Sequence, residues 1–416
     1  MGVPFTEDPP ADLVAKLRQR VSPELPKSYD TDFNLMRWII NADKVSRTAG
    51  NVELAEKNLR NHLHFRRALH LDEGCIPTWD ENPVYKDRLL PRGHFEWLQE
   101  RNCFLWWVDY STLNMSALIR NQKSTDMLIY HFWKYELMLR TINEREKATG
   151  VRCSVYAVID LRDWPINPLT LLFINDGQMS YYANLFHYEH YPELVNPINM
   201  INAPTWISLP YGLVKSTMPK DFGSRFRILN HRFADTISKE LPPEALPVQF
   251  GGTNAQLRPF VTVPSRFGMS GEQAKYERDK TERNEELCHM HVNARRRKVI
   301  PVECKAGSTL LWHFITDSSL LFGIFFQEVG ATKSTDDSRQ HAIPDLDHLE
   351  MVYPLLRFAA KHVPETGALL CRKAGTYYLA FCNRSSWWSR RHVYIKVEVK
   401  TSQGIAKKTI HRSLSG

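Results

Sequence analysis

Apolar residues near the start of the chain recur at the spacing of amphipathic helices. Side chains three or four positions apart share one face of a helix, so such a stripe predicts a helix that packs by that face. One stripe begins at Phe33 and a second begins at Leu54. Residues 29–71 are therefore predicted to form two helices joined at 41–51, within an N-terminal helical region of residues 1–74.

From residue 103 onward, short apolar runs alternate with longer amphipathic stretches. Strands separated by helices are joined by crossover connections, which give a largely parallel sheet. The predicted strands are 103–109, 154–160, 197–202 and 225–229, and the predicted helices are 124–147, 169–188 and 206–218. The sequence thus predicts an α/β domain over residues 75–252.

The pattern changes after residue 252. Residues 253–290 contain prolines, glycines and a run of charges, which is typical of a linker or surface helix. Short apolar runs separated by turns then predict an antiparallel β-sandwich over residues 291–401, followed by a basic tail at 402–416. The predicted strands of the sandwich are 299–302, 309–314, 320–327, 375–382 and 392–400.

Bulk composition excludes some classes of protein. The 416 residues are 43% hydrophobic and 24% charged, which is ordinary for a soluble globular protein. No apolar run approaches the roughly 20 residues that span a bilayer, and residues 1–12 lack the features of a secretory signal. Seven cysteines without CxxC spacing fit reduced thiols better than a disulfide framework. The sequence predicts a cytoplasmic protein.

Positive charge is concentrated in two places. The chain carries a net charge of +8, and basic residues cluster within 215–232 and at 295–298. Such clusters attract anionic membrane surfaces and nucleic acid, or they form a solvated face with no partner. Because neither a zinc-finger spacing nor an RNP-type aromatic signature occurs, a transient contact with anionic membranes is favoured over nucleic acid.

The turns that follow the predicted strands argue against a nucleotide-using enzyme. Phosphate binding at a strand-to-helix turn requires glycines and free backbone amides. The turns 110–113, 161–165 and 203–206 contain no glycine, and neither GxGxxG, GxxxxGK[ST] nor GxSxG occurs in the chain. The chain is predicted to have no catalytic centre and no cofactor other than a bound hydrophobic ligand.

Two histidine-containing segments are candidate metal ligands. His187-Tyr-Glu189 begins like a zinc deaminase signature, but no PCxxC follows. In Cys288-His-Met-His291, a strand would direct Cys288 and Met290 to one face and both histidines to the other. No metal site is predicted.

Four phrases occur in a fixed order in the middle of the chain. They are Val155-Tyr-Ala-Val-Ile-Asp160, His190-Tyr-Pro-Glu-Leu-Val-Asn196, Met200-Ile-Asn-Ala-Pro204 and Leu246-Pro-Val-Gln-Phe-Gly-Gly252. The series resembles the lipid-binding domain of the CRAL-TRIO family. That resemblance implies a parallel sheet that floors an apolar cavity and a mobile helix, here residues 209–222, that opens and closes it.

The resemblance also implies roles for particular residues. Glu193 matches the head-group carboxylate of the family, and Arg225 stands where the family has a lysine just after the mobile helix. The predicted cavity walls are Phe173, Met179, Tyr182, Phe186 and Met200. The predicted gate residues are Leu209, Leu213, Val214, Met218 and Phe222.

Several polar positions of the family are replaced here. The arginine-lysine pair expected near the first helix aligns with Ala42 and Asp43, although a shift of one residue would bring in Lys44. Val155 and Ala157 replace residues that face a phospholipid head group. A less polar ligand, such as a sterol, tocopherol or retinoid, is therefore favoured over a phospholipid.

The C-terminal segments 306–314, 322–326 and 375–383 resemble a GOLD domain. Between two of its predicted strands, a loop places Trp387 and Trp388 beside Arg390 and Arg391. Tryptophan favours the bilayer interface and arginine favours anionic head groups, so this loop is predicted to contact membranes. Packing of one or both indoles against the sandwich is the alternative.

The sequence as a whole predicts a cytoplasmic lipid-binding and lipid-transfer protein that is not an enzyme. Its predicted partners are a hydrophobic ligand, anionic membranes and a protein bound through the GOLD domain. A membrane-trafficking adaptor or lipid sensor, whose GOLD domain recruits proteins, is the alternative from a different class.

Overall fold

The computed structural model describes residues 7–74, 76–164, 178–229, 232–255, 265–266, 287–328, 345–384, 386–401 and 404–407. The chain divides into two compact units. The first unit takes the described residues within Met1–Leu63, Leu71–Leu118 and Ile129–Gln273. The second takes those within His64–His70, Ile119–Leu128 and Ala274–Gly416.

The chain begins with the helices α1 (Ala11–Val21), α2 (Asp32–Ser46) and α3 (Val52–Ala68). The two predicted helices correspond to α2 and α3, but α2 extends to Ser46, beyond the start of the predicted junction. Asp43 explains the sharp turn to α3, because its carboxylate accepts hydrogen bonds from the amides of Gly50 at 3.0 Å and Asn51 at 2.9 Å.

The first unit contains a five-stranded sheet in the order β1-β2-β3-β4-β5. Its strands are β1 (His94–Leu98), β2 (Cys103–Asp109), β3 (Ser154–Asp160), β4 (Val195–Ile201) and β5 (Phe226–Ile228). All pairs from β2 to β5 are parallel, whereas β1 runs antiparallel to β2. The predicted largely parallel sheet is confirmed, and the antiparallel edge strand β1 was not predicted.

Helices precede, connect and follow these strands, and the alternating pattern predicts the connecting ones. They are α4 (Pro83–Lys86), α5 (Met115–Asn121), α6 (Ser124–Thr149), α7 (Gln178–Asn184), α8 (Ser208–Thr217), α9 (Phe222–Arg225) and α10 (Phe233–Glu240). Helix α7 continues directly into a π-helical segment, Leu185–His190. The earlier part of the predicted helix 169–188 lies outside the described residues.

The last predicted strand of this sheet is shorter than expected. Strand β5 covers only Phe226–Ile228, and Arg225 instead ends helix α9. Arg225 stays helical because its amide bonds the carbonyl of Asp221 at 3.0 Å and its guanidinium bonds the Asp221 carboxylate at 2.9 Å. This geometry turns the Arg225 side chain into the protein interior, where it is 1% exposed.

Antiparallel strands make up the C-terminal part of the second unit. They form one sheet in the order β10-β9-β12-β7 and another in the order β11-β8-β13-β14, with β6 also paired to β13. The strands are β6 (Cys288–Val292), β7 (Arg297–Cys304), β8 (Thr309–Thr316), β9 (Leu320–Glu328), β10 (Glu350–Phe358), β11 (Glu365–Leu370), β12 (Gly375–Cys382), β13 (Arg391–Thr401) and β14 (Gly404–Lys407). The predicted antiparallel, all-β region is confirmed.

Four of these strands were not predicted as such. Strand β6 begins inside the predicted linker, and β14 lies inside the predicted basic tail. Strand β10 contains Pro354 and shifts register twice against β9, so its apolar alternation is broken. Strand β11 is only six residues long, with exposed Thr366, and lacks a sustained apolar run.

None of the helices in the described part of the chain is long and apolar enough to cross a membrane.

Candidate functional site

The first unit contains a cavity of about 290 Å³ between its sheet and the surrounding helices. Strands supply its floor, because alternate side chains of a strand point to the same face of a sheet. The floor residues are Trp106 of β2, Ala157 and Ile159 of β3, Val195, Ile198 and Met200 of β4, and Phe226 and Ile228 of β5. Predominantly apolar side chains therefore cover the floor.

The walls are mostly aromatic. Helix α6 contributes Tyr135, and the π-helical segment contributes Phe186 and His187. The rings of Tyr135 and Phe186 stack with centroids 4.9 Å apart, and the Tyr135 hydroxyl lies 3.0 Å from His187 Nε2. Ring stacking and this hydrogen bond hold the wall side chains in fixed positions relative to one another.

Three predicted wall residues, Tyr182, Phe186 and Met200, line the cavity. Met179 belongs to helix α7, but its side chain lies outside the described residues. Phe173 also lies outside them. The structure thus brings together the wall residues it describes, and their contact with a ligand stays a prediction.

The predicted gate divides into residues that face the cavity and residues that face solvent. Val214 of helix α8 and Phe222 of α9 line the cavity. Leu209 is 70% exposed, Leu213 is 54% exposed and Met218 is half-buried. Helix α8 therefore covers the cavity with one face and presents an apolar face to solvent.

Glu193 lies at the centre of a buried ion cluster, here called the Glu193 cluster, formed by Lys44, Glu193, Asp221 and Arg225. The Lys44 ammonium is 2.8 Å from Glu193 Oε2, and the Arg225 guanidinium bonds both Glu193 and Asp221. Asn196 Nδ2 also donates to Glu193 Oε2 at 3.0 Å. Glu193 therefore pairs with Arg225, and the shift of one residue does bring in Lys44.

Glu193 stays ionised in this cluster. Burial alone would raise the pKa of its carboxyl, but Arg225 and Lys44 lower that pKa to about 2. The cluster pairs two cations with two carboxylates, so its charges balance. Neither Glu193 nor Arg225 lines the cavity, and their contact with a ligand stays a prediction.

Comparison with known proteins assigns this region of the chain. Residues 99–252 match the family model described as the CRAL/TRIO domain. The chain carries a CRAL-TRIO domain. Residues 7–74 match a model described only as a domain of unknown function, and residues 274–408 match a C-terminal domain like that of the protein F28H7.8.

Curated relatives extend the similarity beyond this domain. The chain is 21% identical to "CRAL-TRIO domain-containing protein F28H7.8" of Caenorhabditis elegans, covering 90% of this chain and 86% of the relative. It is 24% identical to "CRAL-TRIO domain-containing protein C34C12.6" of the same organism, covering 75% and 80%. The solved structure titled "Crystal structure of Sfh5" is 13% identical, covers 64% of this chain and 96% of its own, and has a TM-score of 0.38.

The CRAL-TRIO match confirms the family resemblance found in the sequence. Proteins of this family generally bind and transport lipophilic ligands and are not generally enzymes. The GOLD resemblance is not confirmed, because residues 274–408 match the F28H7.8-like C-terminal domain instead.

Lys134 of helix α6 is the cationic residue of the CRAL-TRIO cavity that sequence reasoning missed. Lys134 lines the cavity and is only 4% exposed. Its Nζ lies 5.1 Å from the ring centroid of Trp106 and 4.8 Å from that of Tyr135. Burial lowers the pKa of Lys134 to about 7. The neighbouring residues in the sequence could have indicated that Lys134 is buried. Lys134 follows His131-Phe-Trp133 and precedes Tyr135, an unusually aromatic setting for a solvated lysine.

The loop of the second unit that carries Trp387 and Trp388, here called the tryptophan loop, is exposed at its tip. Trp387 is 65% exposed and Trp388 is 93% exposed. The loop is held by Ser386, whose hydroxyl accepts a hydrogen bond from the amide of Ser389 at 3.0 Å. Arg295 lies over Trp387, with its guanidinium carbon 3.2 Å from the ring centroid. Arg390 is exposed and Arg391 begins strand β13, so their membrane contact stays a prediction.

No group of three or more His, Cys, Asp and Glu side chains is positioned to hold a metal ion within the described ranges. On strand β6, Met290 is buried, whereas His289 is exposed. His289 Nε2 lies 2.9 Å from His392 Nδ1.

Proposed function

We propose that this chain is a cytoplasmic lipid-transfer protein that holds one hydrophobic molecule in its CRAL-TRIO cavity. The observation that carries the proposal is the cavity itself, with an apolar strand floor, aromatic walls and a cover formed by α8. Transfer of each CH₂ group from a bilayer into water costs about 0.8 kcal/mol of free energy. A molecule with some 30 such groups therefore leaves a bilayer for water extremely slowly. A covered apolar cavity removes that barrier.

In this proposal, helix α8 and the turn that follows it are the gate. Val214 and Phe222 face the ligand, while Leu209 and Leu213 are free to meet a bilayer when the gate opens. Exposed leucines on a cavity cover favour docking on an apolar surface. Membrane contact and opening are then coupled, so release occurs where an acceptor bilayer is present.

The tryptophan loop supplies a second membrane contact. Trp387 and Trp388 carry large exposed apolar surfaces, and Arg295, Arg390 and Arg391 place positive charge around them. This combination suits insertion of indoles at the interface of an anionic membrane.

A trafficking adaptor is the second candidate, and the all-β C-terminal region favours it. That region is an antiparallel assembly of the kind expected for a GOLD sandwich, which here would bind a protein partner. In this case the lipid acts as a signal and is not exchanged.

Lipid exchange between vesicle populations separates the two functions. Transfer of labelled sterol, tocopherol, retinoid or phospholipid from donor to acceptor vesicles, with native mass spectrometry of the lipid that copurifies, is the decisive experiment. Catalysed exchange supports the transfer protein. A bound lipid that never exchanges, together with ligand-dependent binding of a protein, would support the adaptor.

A further inference from the structure

Lys134 is the only side chain with a cationic amine or guanidinium among the residues lining the described cavity. It lies near the middle of helix α6 and is 4% exposed, so its ammonium has left bulk water. Its ammonium lies over the ring faces of Trp106 and Tyr135. Such contacts attract a cation through the ring quadrupole, but they offer no hydrogen-bond acceptor.

Within the described ranges, no carboxylate forms an ion pair with Lys134. Glu136, two positions along the same helix, accepts a hydrogen bond from the Tyr191 hydroxyl at 2.9 Å. Glu193 is held by Lys44 and Arg225. A buried ammonium that lacks an anionic partner is unfavourable, because burial removes its hydration.

We propose that Lys134 is the head-group residue of the cavity and that it selects a lipophilic ligand bearing a carboxylate. This inference rests on the proposed function, since it requires that the cavity hold a lipid. It replaces the expectation of a neutral ligand that the sequence favoured. A carboxylate supplies both the missing charge and the missing acceptors, and its alkyl chain occupies the apolar remainder of the cavity.

The number of cations favours a carboxylate over a phosphate. One ammonium balances one carboxylate, whereas a phosphate group is usually held by several donors. The two cations of the Glu193 cluster, Lys44 and Arg225, are already bonded to Glu193. Other polar wall groups are also engaged, since the Tyr135 hydroxyl pairs with His187 and the Tyr211 hydroxyl donates to the Phe226 carbonyl at 2.6 Å.

The pairing makes ligand affinity depend on pH. The titratable groups that line the cavity besides Lys134 are Tyr110, His131, Tyr135, Tyr182, His187 and Tyr211. Burial, with Arg225 and Lys134, lowers the pKa of His187, and burial raises the pKa of Tyr110 to about 12. Behind the wall, the Arg225 guanidinium donates to the His187 carbonyl at 2.6 Å.

Lys134 therefore gains or loses its proton near neutral pH, and a bound carboxylate favours the protonated form. Binding of the carboxylate takes up a proton above pH 7. By linkage, the affinity for the acid falls by up to about tenfold for each pH unit above 7, whereas the affinity for an uncharged analogue does not.

The test compares hexadecanoic acid with its methyl ester and with hexadecan-1-ol, three ligands of nearly equal apolar surface. Their affinities for the full chain are measured by competition with a fluorescent lipid at pH 6.5 and pH 9. We expect the wild type to prefer the acid over the ester by at least tenfold at pH 6.5 and to lose most of that preference at pH 9.

Two variants locate the effect. Lys134→Met keeps an unbranched side chain, one heavy atom shorter, and removes its charge, so the preference for the acid should disappear while the ester still binds. Lys147→Met removes an exposed lysine of the same helix and should leave the preference intact. Thermal unfolding establishes that both variants fold, and the pH dependence of the wild type tests the inference without any variant.

The outcomes separate this inference from the proposed function. Equal binding of acid and ester by the wild type at pH 6.5 would overturn the role of Lys134 and leave lipid binding intact. A preference that survives in Lys134→Met would also overturn it, because another group would then read the carboxylate. Failure of all three ligands and of every vesicle lipid to bind would overturn the proposed function as well.

Discussion

Arg225 and Lys134 are both buried cations of the first unit, but they differ in what neutralises them. Arg225 bonds Glu193 and Asp221 and also donates to the His187 carbonyl. Lys134 lies over two aromatic rings and, among the described residues, forms no ion pair. A buried charge that is fully paired maintains the fold, whereas one that lacks an anion is available to a ligand. The family resemblance pointed to Arg225, and the physical chemistry of the cavity points to Lys134.

The strongest way to break this comparison is to remove Arg225. Arg225→Met leaves Glu193 and Asp221 buried with less compensation, and we expect a loss of about 3–5 kcal/mol in the free energy of unfolding. Urea denaturation measures the loss. Arg92→Met is the control, because Arg92 pairs with Asp80 at the surface, where the two side chains are 48% and 82% exposed, and its loss should cost at most about 1 kcal/mol. Equal losses in the two variants would show that Arg225 has no special structural role.

The stability that the Glu193 cluster contributes to the fold should depend on pH. Because the folded protein lowers the pKa of Glu193 to about 2, the unfolded chain binds its proton first as pH falls. The stabilisation is therefore complete above about pH 5 and is lost progressively towards pH 2.

Lys134 differs from Glu193 because the folded protein disfavours its charged form, whereas it favours the charged form of Glu193. Burial lowers the pKa of Lys134 to about 7, so the unfolded ligand-free chain holds one more proton between about pH 7 and pH 10. Stability then rises with pH across this window by up to about 1.4 kcal/mol per unit. Lys134→Met should remove this rise, whereas Lys147→Met should retain it. The measurement is urea denaturation at pH 7, 8 and 9. An identical dependence of stability on pH in all three proteins would contradict a buried Lys134 ammonium that forms no ion pair with the described residues.

Much of the fold follows from the sequence, because its strands are short apolar runs with clear ends. Strand β2 (Cys103–Asp109) and strand β3 (Ser154–Asp160) have the predicted bounds. Strand β1 was missed because it is a half-buried edge strand of five residues, HFEWL, without clear alternation. The spacing of apolar residues in the sequence thus identifies central strands better than edge strands.

The site was less predictable than the fold because it depends on long-range contacts. Lys44 and Glu193 are 149 residues apart in the chain, and no local pattern indicates that they meet. Lys134 was missed for a related reason, since a lysine on a long helix is normally solvated and only the packing of α6 on the sheet buries it. The apolar walls were easier, because Tyr182, Phe186 and Met200 follow the periodicity of their elements.

The second unit offers an exposed counterpart to Lys134. Arg295 lies over Trp387 as Lys134 lies over Trp106, but Trp387 is 65% exposed. Replacing both Trp387 and Trp388 with Ser should weaken binding to anionic vesicles by about tenfold, since two interfacial anchors are lost.

Vesicle sedimentation measures that binding, and thermal unfolding should change little. Tyr394→Ser, which removes another exposed aromatic residue, is the control and should bind vesicles like the wild type. A large loss of stability in the double variant, or unchanged vesicle binding, would favour indoles that pack on the sandwich.

The smallest effect that we expect is a change in the rate of ligand release without a change in ligand affinity. Gly212 lies in helix α8, and a Cβ added there meets no atom within 4 Å. Gly212→Ala should therefore stiffen α8 by about 0.5–1 kcal/mol without a clash and slow lipid exchange about two- to fivefold if opening bends this helix. Vesicle exchange rates measure the effect, with Ser216→Ala in the same helix as the control and the preference for the acid unchanged in both. An exchange rate equal to that of the wild type, in a variant with raised stability, would mean that the cavity opens without deforming α8 at this position.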